Sequence, residues 1–175
     1  MKANKQLIAV LLGVSLLPSA TQFGNAFVHH ANAGSTSTTM AVSASVPSNC
    51  NFTGGAISLG FGSYDPVGAN ASSDLNSTTS LGIRCTKGTS ALLSMNNGTN
   101  ANGEQRRMSD GSNFLNYQVY TSASYSTIWN AINTVSYLAQ NSNSATITIH
   151  GKVPGGQTDI PAGTYTDTVT ITATY

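Results

Sequence analysis

Charge is what this sequence has least of. Across 175 residues, 7 Lys and Arg stand against 6 Asp and Glu, so 7% of the chain is charged. An average soluble domain carries roughly 25%. A handful of scattered cations cannot neutralise a phosphate track, which excludes a nucleic-acid footprint. Glutamate occurs once, as Glu104, and lysine four times. With strong helix formers this scarce, a coiled coil or helical bundle is excluded. No run of 18 apolar residues exists, so no membrane-spanning helix is expected. What is abundant is small and polar: 23 Ser, 22 Thr and 17 Asn, with 17 Gly. Solubility therefore comes from hydroxyls and amides, and Thr, Val, Ile and Tyr favour strands.

The N-terminus reads as an export signal, residues 1–33. Lys2 and Lys5 precede the apolar run Leu7–Leu17, which Pro18 ends. A predominantly apolar run of eleven residues suits a signal-peptide core and is too short to span a bilayer. Ala31-Asn32-Ala33 offers a small-x-small cleavage site, and Gly24-Asn25-Ala26 offers another. Cleavage after Ala33 is the reading adopted, with cleavage after Ala26 left open. In an exported chain the only two cysteines, Cys50 and Cys85, are expected to pair.

The remainder reads as strands and turns. From Thr164 to Tyr175 every even position is Thr, and the odd positions are Tyr165, Asp167, Val169, Ile171, Ala173 and Tyr175. That period of two predicts a long strand with one apolar and one hydroxyl face. Met40, Val42, Ala44 and Val46 alternate with small residues in the same way until Pro47. Shorter strands are expected at Ala56–Phe61, Thr79–Cys85, Ala91–Met95, Phe114–Tyr120 and Ala145–His150. Residues 68–80 and 96–104 read as loops, and Ala123–Gln140 as irregular with room for a helical turn. Short strands at regular spacing point to a β-sandwich or barrel.

The two terminal strands raise an edge problem. A strand ending at the carboxyl terminus has an outer edge that no later segment covers. Two readings stand: a complete sandwich with its N-terminal strand folded back, or β-augmentation by another molecule.

The chain resembles the spore coat protein U domain family, which includes subunits of archaic chaperone–usher pili. The resemblance covers residues 36–175. It is carried by the alternating segment leading to Cys50, Leu59-Gly60-Phe61-Gly62 with Tyr64, and Cys85-Thr86-Lys87-Gly88. Arg107-Met108, Leu115 with Tyr117 and Val119-Tyr120, and Trp129 follow. Gly151-Lys152-Val153-Pro154 with Gln157, and Gly163, Tyr165, Asp167, Val169 and Ile171 complete it. The resemblance implies an all-β, immunoglobulin-like sandwich at residues 48–175 lacking its last strand. It also implies a periplasmic chaperone that holds the subunit open and an outer-membrane usher that polymerises it head to tail. Residues 34–47 would then be a donor segment whose Met40, Val42, Ala44 and Val46 fill a neighbour's groove. The last strand, through Tyr165, Val169, Ile171, Ala173 and Tyr175, would flank that groove. The product would be a surface pilus serving adhesion and biofilm formation.

Other chemistry finds little support. Outside the signal region His150 is the only histidine, and a strand histidine is the plain reading. The five Asp are dispersed and no Gly-x-Ser-x-Gly elbow or metal spacing occurs. No catalytic set, metal or cofactor is therefore expected. Asp167 is either a site residue or a partner of backbone or an arginine. Arg106 and Arg107 are expected in local ion pairs with Glu104 or Asp110, or against an acidic partner. Trp129 and Tyr125 are core or loop anchors, or a sugar-stacking pair. A coat or matrix protein of the same fold is the alternative to a pilus, and a carbohydrate-binding module on Trp129 is the third reading.

Overall fold

The computed structural model describes residues 33–175. The expected export signal therefore lies outside the described residues, apart from Ala33. The chain divides into two units at Ser43/Ala44. Of the first, residues 33–43 are exposed and carry no helix or strand.

The second unit holds eight strands: β1 (Cys50–Thr53), β2 (Leu75–Cys85), β3 (Ser90–Met95), β4 (Arg106–Ser109), β5 (Phe114–Tyr120), β6 (Val135–Leu138), β7 (Ala145–Val153) and β8 (Ile171–Thr174). Five form one sheet in the order β1-β2-β7-β5-β4, and three form the other, β6-β3-β8. All the strand pairs are antiparallel. This is an all-β, immunoglobulin-like sandwich. Alternation decides the inner faces: Leu81, Ile83 and Cys85 on β2, Leu115, Tyr117 and Val119 on β5, and Ile149 and Val153 on β7 are buried. Ala91, Leu93 and Met95 of β3 meet them from the other sheet. Trp129 is fully buried, and its indole N–H donates to the Leu93 carbonyl at 2.8 Å.

The disulfide Cys50–Cys85 joins β1 to β2 at directly opposed positions. The 35-residue separation corresponds to about 3.5–4 kcal/mol of loop-closure stabilisation.

Several sequence expectations are corrected. β2 begins at Leu75, inside the stretch read as a loop. Ser77, Thr79 and Leu75 point inward, but hydroxyls on both faces erased the period from Asn76 to Ser80. Strand β6 replaces the helical turn suggested within 123–140. Strands β1 and β4 were not foreseen, and β7 runs on to Val153. The long strand Thr164–Tyr175 forms a ladder only over Ile171–Thr174, with Thr166 in a single bridge to Ser109. Ala56–Phe61 alternates inward and outward as expected but joins no ladder among the described residues.

Candidate functional site: an apolar groove between two unpaired edges

These last two segments face each other across a groove of about 860 Å³. One bank is Ile57–Tyr64 and the other Ile160–Ile171. The floor is core: Leu115, Tyr117 and Val119 of β5, with Ile149 and Val153 of β7. The first bank is held where it is by a missing side chain. A Cβ on Gly151 of β7 would lie 2.6 Å from Leu59 and 2.8 Å from Phe61. Glycine lets both side chains settle on the sheet, and Phe61 then meets Tyr117 edge-on, centroids 6.1 Å apart. Gly60 accepts from Ser77 Oγ at 2.6 Å. That is the one backbone hydrogen bond described for Ala56–Phe61.

The second bank is extended without a ladder because three clamps hold it. Thr166 exchanges two backbone hydrogen bonds of 2.9 Å with Ser109. Thr170 accepts from Asn96 N–H at 3.0 Å and donates to Asn96 Oδ1 at 2.8 Å. Between them Asp167 turns inward. Its Oδ1 accepts from the Thr99 N–H and hydroxyl and from the Asn100 N–H and amide, at 2.8–3.2 Å. Its Oδ2 accepts from the Tyr117 hydroxyl at 2.7 Å. Burial works to raise the Asp167 pKa, but these hydrogen bonds outweigh it and hold the group below its ordinary 3.8. Burial first, then Asp167, pushes the Tyr117 phenol up.

In an extended chain neighbouring residues aim their N–H and C=O groups to opposite sides. Thr166 and Thr170 spend theirs away from the groove. Those of Tyr165, Asp167 and Val169 therefore point toward it, and none has a backbone partner among the described residues. The site is an apolar slot whose two banks both carry unsatisfied strand edges. Such groups are ready-made templates for another strand.

Of the sequence-expected flank, Tyr165, Val169 and Ile171 line the groove. Ala173 packs on the core opposite Leu93, and Tyr175 is exposed, its hydroxyl 3.3 Å from Asn49 Oδ1. The alternation of Ile57–Phe61 is visible in the sequence, but nothing there marks the segment as a groove wall. Met40, Val42 and Val46 are 81–83% exposed, and Ala44 is exposed. Large apolar side chains rarely stand so free at alternate positions.

The expected ion pairs of Arg106 and Arg107 do not form among the described residues, whereas Trp129 and Tyr125 are anchors as expected. Arg106 makes no ion pair: it is fully buried and donates to the carbonyls of Asn96 and Trp129 and to Gln118 Oε1. Burial lowers its pKa. Arg107 lies 4.0 Å over the Phe114 ring and donates to the Asn100 carbonyl at 2.9 Å. Trp129, fully enclosed, offers no face to a sugar. Tyr125 packs edge-on against Tyr120 and His150. Among the described residues, no group of three His, Cys, Asp or Glu is placed to hold a metal.

The Spore Coat Protein U domain matches residues 36–172. The chain belongs to that family. A curated relative, Protein U of Myxococcus xanthus, is 32% identical over 128 residues, covering 67% of this chain and 71% of the relative. A solved structure is similar at 26% identity and a TM-score of 0.53 over 74% of this chain. It is the CsuC–CsuE chaperone–tip adhesion subunit pre-assembly complex from archaic chaperone–usher Csu pili of Acinetobacter baumannii. The match spans 40% of that solved chain. This Spore Coat Protein U domain thus runs from the alternating segment before Cys50 through to strand β8.

Proposed function

We propose that this chain is a structural subunit of an extracellular pilus, not an enzyme, assembled by the chaperone–usher pathway through donor-strand exchange. The observation that carries this reading is the groove: an apolar slot flanked by two edges with free backbone groups. The same chain carries an exposed, alternating apolar segment that matches such a slot. In this reading residues 36–46 of one subunit enter the groove of the next. Their backbone satisfies both banks, and Met40, Val42, Ala44 and Val46 cover the floor. Burying a Val or Met side chain contributes about 1.5–3 kcal/mol. A periplasmic chaperone strand occupies the groove before the neighbour does, and an outer-membrane usher exchanges the two. The contact is head to tail and does not close, so it builds a filament on the cell surface. Adhesion and biofilm formation are the roles such a filament serves.

The test is a single charge in the donor segment. Surface filaments sheared from the native host are expected with the wild-type chain and lost with Val42→Asp, while the exported subunit still accumulates. Undiminished filaments in the variant would contradict the reading. A second reading, a coat or matrix protein, is favoured by the family's description. It uses the same groove, and electron microscopy of the assembled material separates a filament from an amorphous layer.

A further inference from the structure

We infer the register of the incoming strand: antiparallel to Thr164–Tyr175, with Ala44 of one copy directly opposite Asp167 of the next. This rests on the strand-exchange reading above. Directly opposed residues in a sheet share a face. The groove-facing row is Tyr165, Asp167, Val169 and Ile171, all at odd positions. The large apolar residues of the donor segment, Met40, Val42 and Val46, are all at even positions, with Ala44 in the same row. Even donor residues must therefore stand opposite odd bank residues.

Asp167 fixes which ones. It is the one charged side chain lining the groove. Four donors crowd Oδ1, whereas Oδ2 accepts from the Tyr117 hydroxyl alone among the described residues and keeps one acceptor site for solvent. A Val or Met opposite would strip the water that a carboxylate still needs. Alanine covers it least, and Ala44 is the one small residue among the four apolar donor positions.

Direction follows from what the other positions then meet. Run antiparallel, Val46 faces Tyr165, Val42 faces Val169 and Met40 faces Ile171, so each large donor residue has an apolar partner. Run parallel through the same pair, Met40 faces Gly163 and Ser48 faces Ile171. A slip of two residues puts Val42 or Val46 over the carboxylate. A parallel strand with Thr38 at Asp167 leaves Tyr165 facing Thr36, so a groove-lining ring loses its apolar partner. The donor segment of this chain is therefore keyed to its acceptor by the smallest side chain in its groove-facing row, Ala44.

Cysteine pairs on the outer face read the register without touching the core. Ser43 and Thr168 are both exposed, and the inferred alignment opposes them directly. Because Asp167 and Val169 direct their backbone groups into the groove, residue 168 falls at a non-hydrogen-bonded position. Cα atoms of such pairs are about 4.5 Å apart, within disulfide reach. Assembled full-length S43C/T168C is oxidised and run on a non-reducing denaturing gel, beside A41C/T168C, S45C/T168C and T39C/T168C. The expected result is a ladder of covalent multimers, with loss of the monomer band, from S43C/T168C alone. A ladder from one of the other pairs instead overturns the register and leaves strand exchange standing. A crosslink confined to single chains overturns a second copy as the occupant. Absence of multimers in every variant and in the wild type, with circular dichroism showing folded chains, overturns the strand-exchange reading and the register with it.

Discussion

Asp167 shows how one side chain can organise an edge that has no ladder. It pins the 98–100 loop to the second bank and orients Tyr117 on the floor. Gly98 makes room for it: its φ is +87°, and a Cβ there would collide with the Asp167 carboxylate. The alternation of Thr164–Tyr175 made Asp167 conspicuous in the sequence as the one charge on an apolar face. Its partners, 67 or more residues away along the chain for the loop, had no local signal. Because its folded pKa is lowered, its contribution is complete above about pH 4 and is lost as pH falls through the folded value. Asp110 adds to the same acid limb. Hydrogen bonds from the Asn113 and Ser112 N–H groups and the Asn113 amide hold it at about 2. Asp167→Asn is expected to lose about 1–3 kcal/mol near neutral pH, as for hydrogen bonds to a charged group. Urea unfolding should show that gap narrowing as pH is lowered below about 4. A gap that stays constant would mean the carboxylate's charge does not hold the bank.

At the scale of elements, the two banks differ in how they are held. The second is clamped by loops, whereas the first rests on Leu59 and Phe61 lying over Gly151. Gly151→Val drives a branched side chain into both, and overpacking of this kind costs about 1–3 kcal/mol. Chemical denaturation should report that loss, and capture of a donor peptide should weaken with it because the bank is displaced. Equal stability with unchanged capture would show that the bank does not form the wall. Period-two alternation exposed β2, β5, β7 and the last strand in the sequence because each has one core face. It failed for β4, whose Arg106 is buried by satisfying carbonyls and not by being apolar. It failed for β6 and β1, four residues each, where too few positions exist to show a period. Strand order between the sheets was not legible at all, since it depends on pairings such as β2 with β7 that no local pattern encodes.

For the molecule as a whole, scarcity of charge takes on a specific meaning. Lys152 and Asp74, 3.2 Å apart, are the salt bridge among the described residues, so ion pairing holds little of this fold. The core and the Cys50–Cys85 disulfide carry it instead. Replacing both cysteines by alanine should cost about 3.5–4 kcal/mol in equilibrium unfolding. A cost below about 1 kcal/mol would contradict a constraint on the unfolded chain as the bond's main role. A hydroxyl surface with few like charges also lets copies approach without strong repulsion, which suits a building block. The central claim is that the groove accepts residues 34–47 as a strand. The most direct measurement removes that segment and returns it as a peptide, following binding and thermal stability of the truncated domain. A destabilised or self-associating domain that binds the peptide and gains stability with its concentration is the expected result. A truncated domain that is monomeric, fully stable and indifferent to the peptide would contradict it.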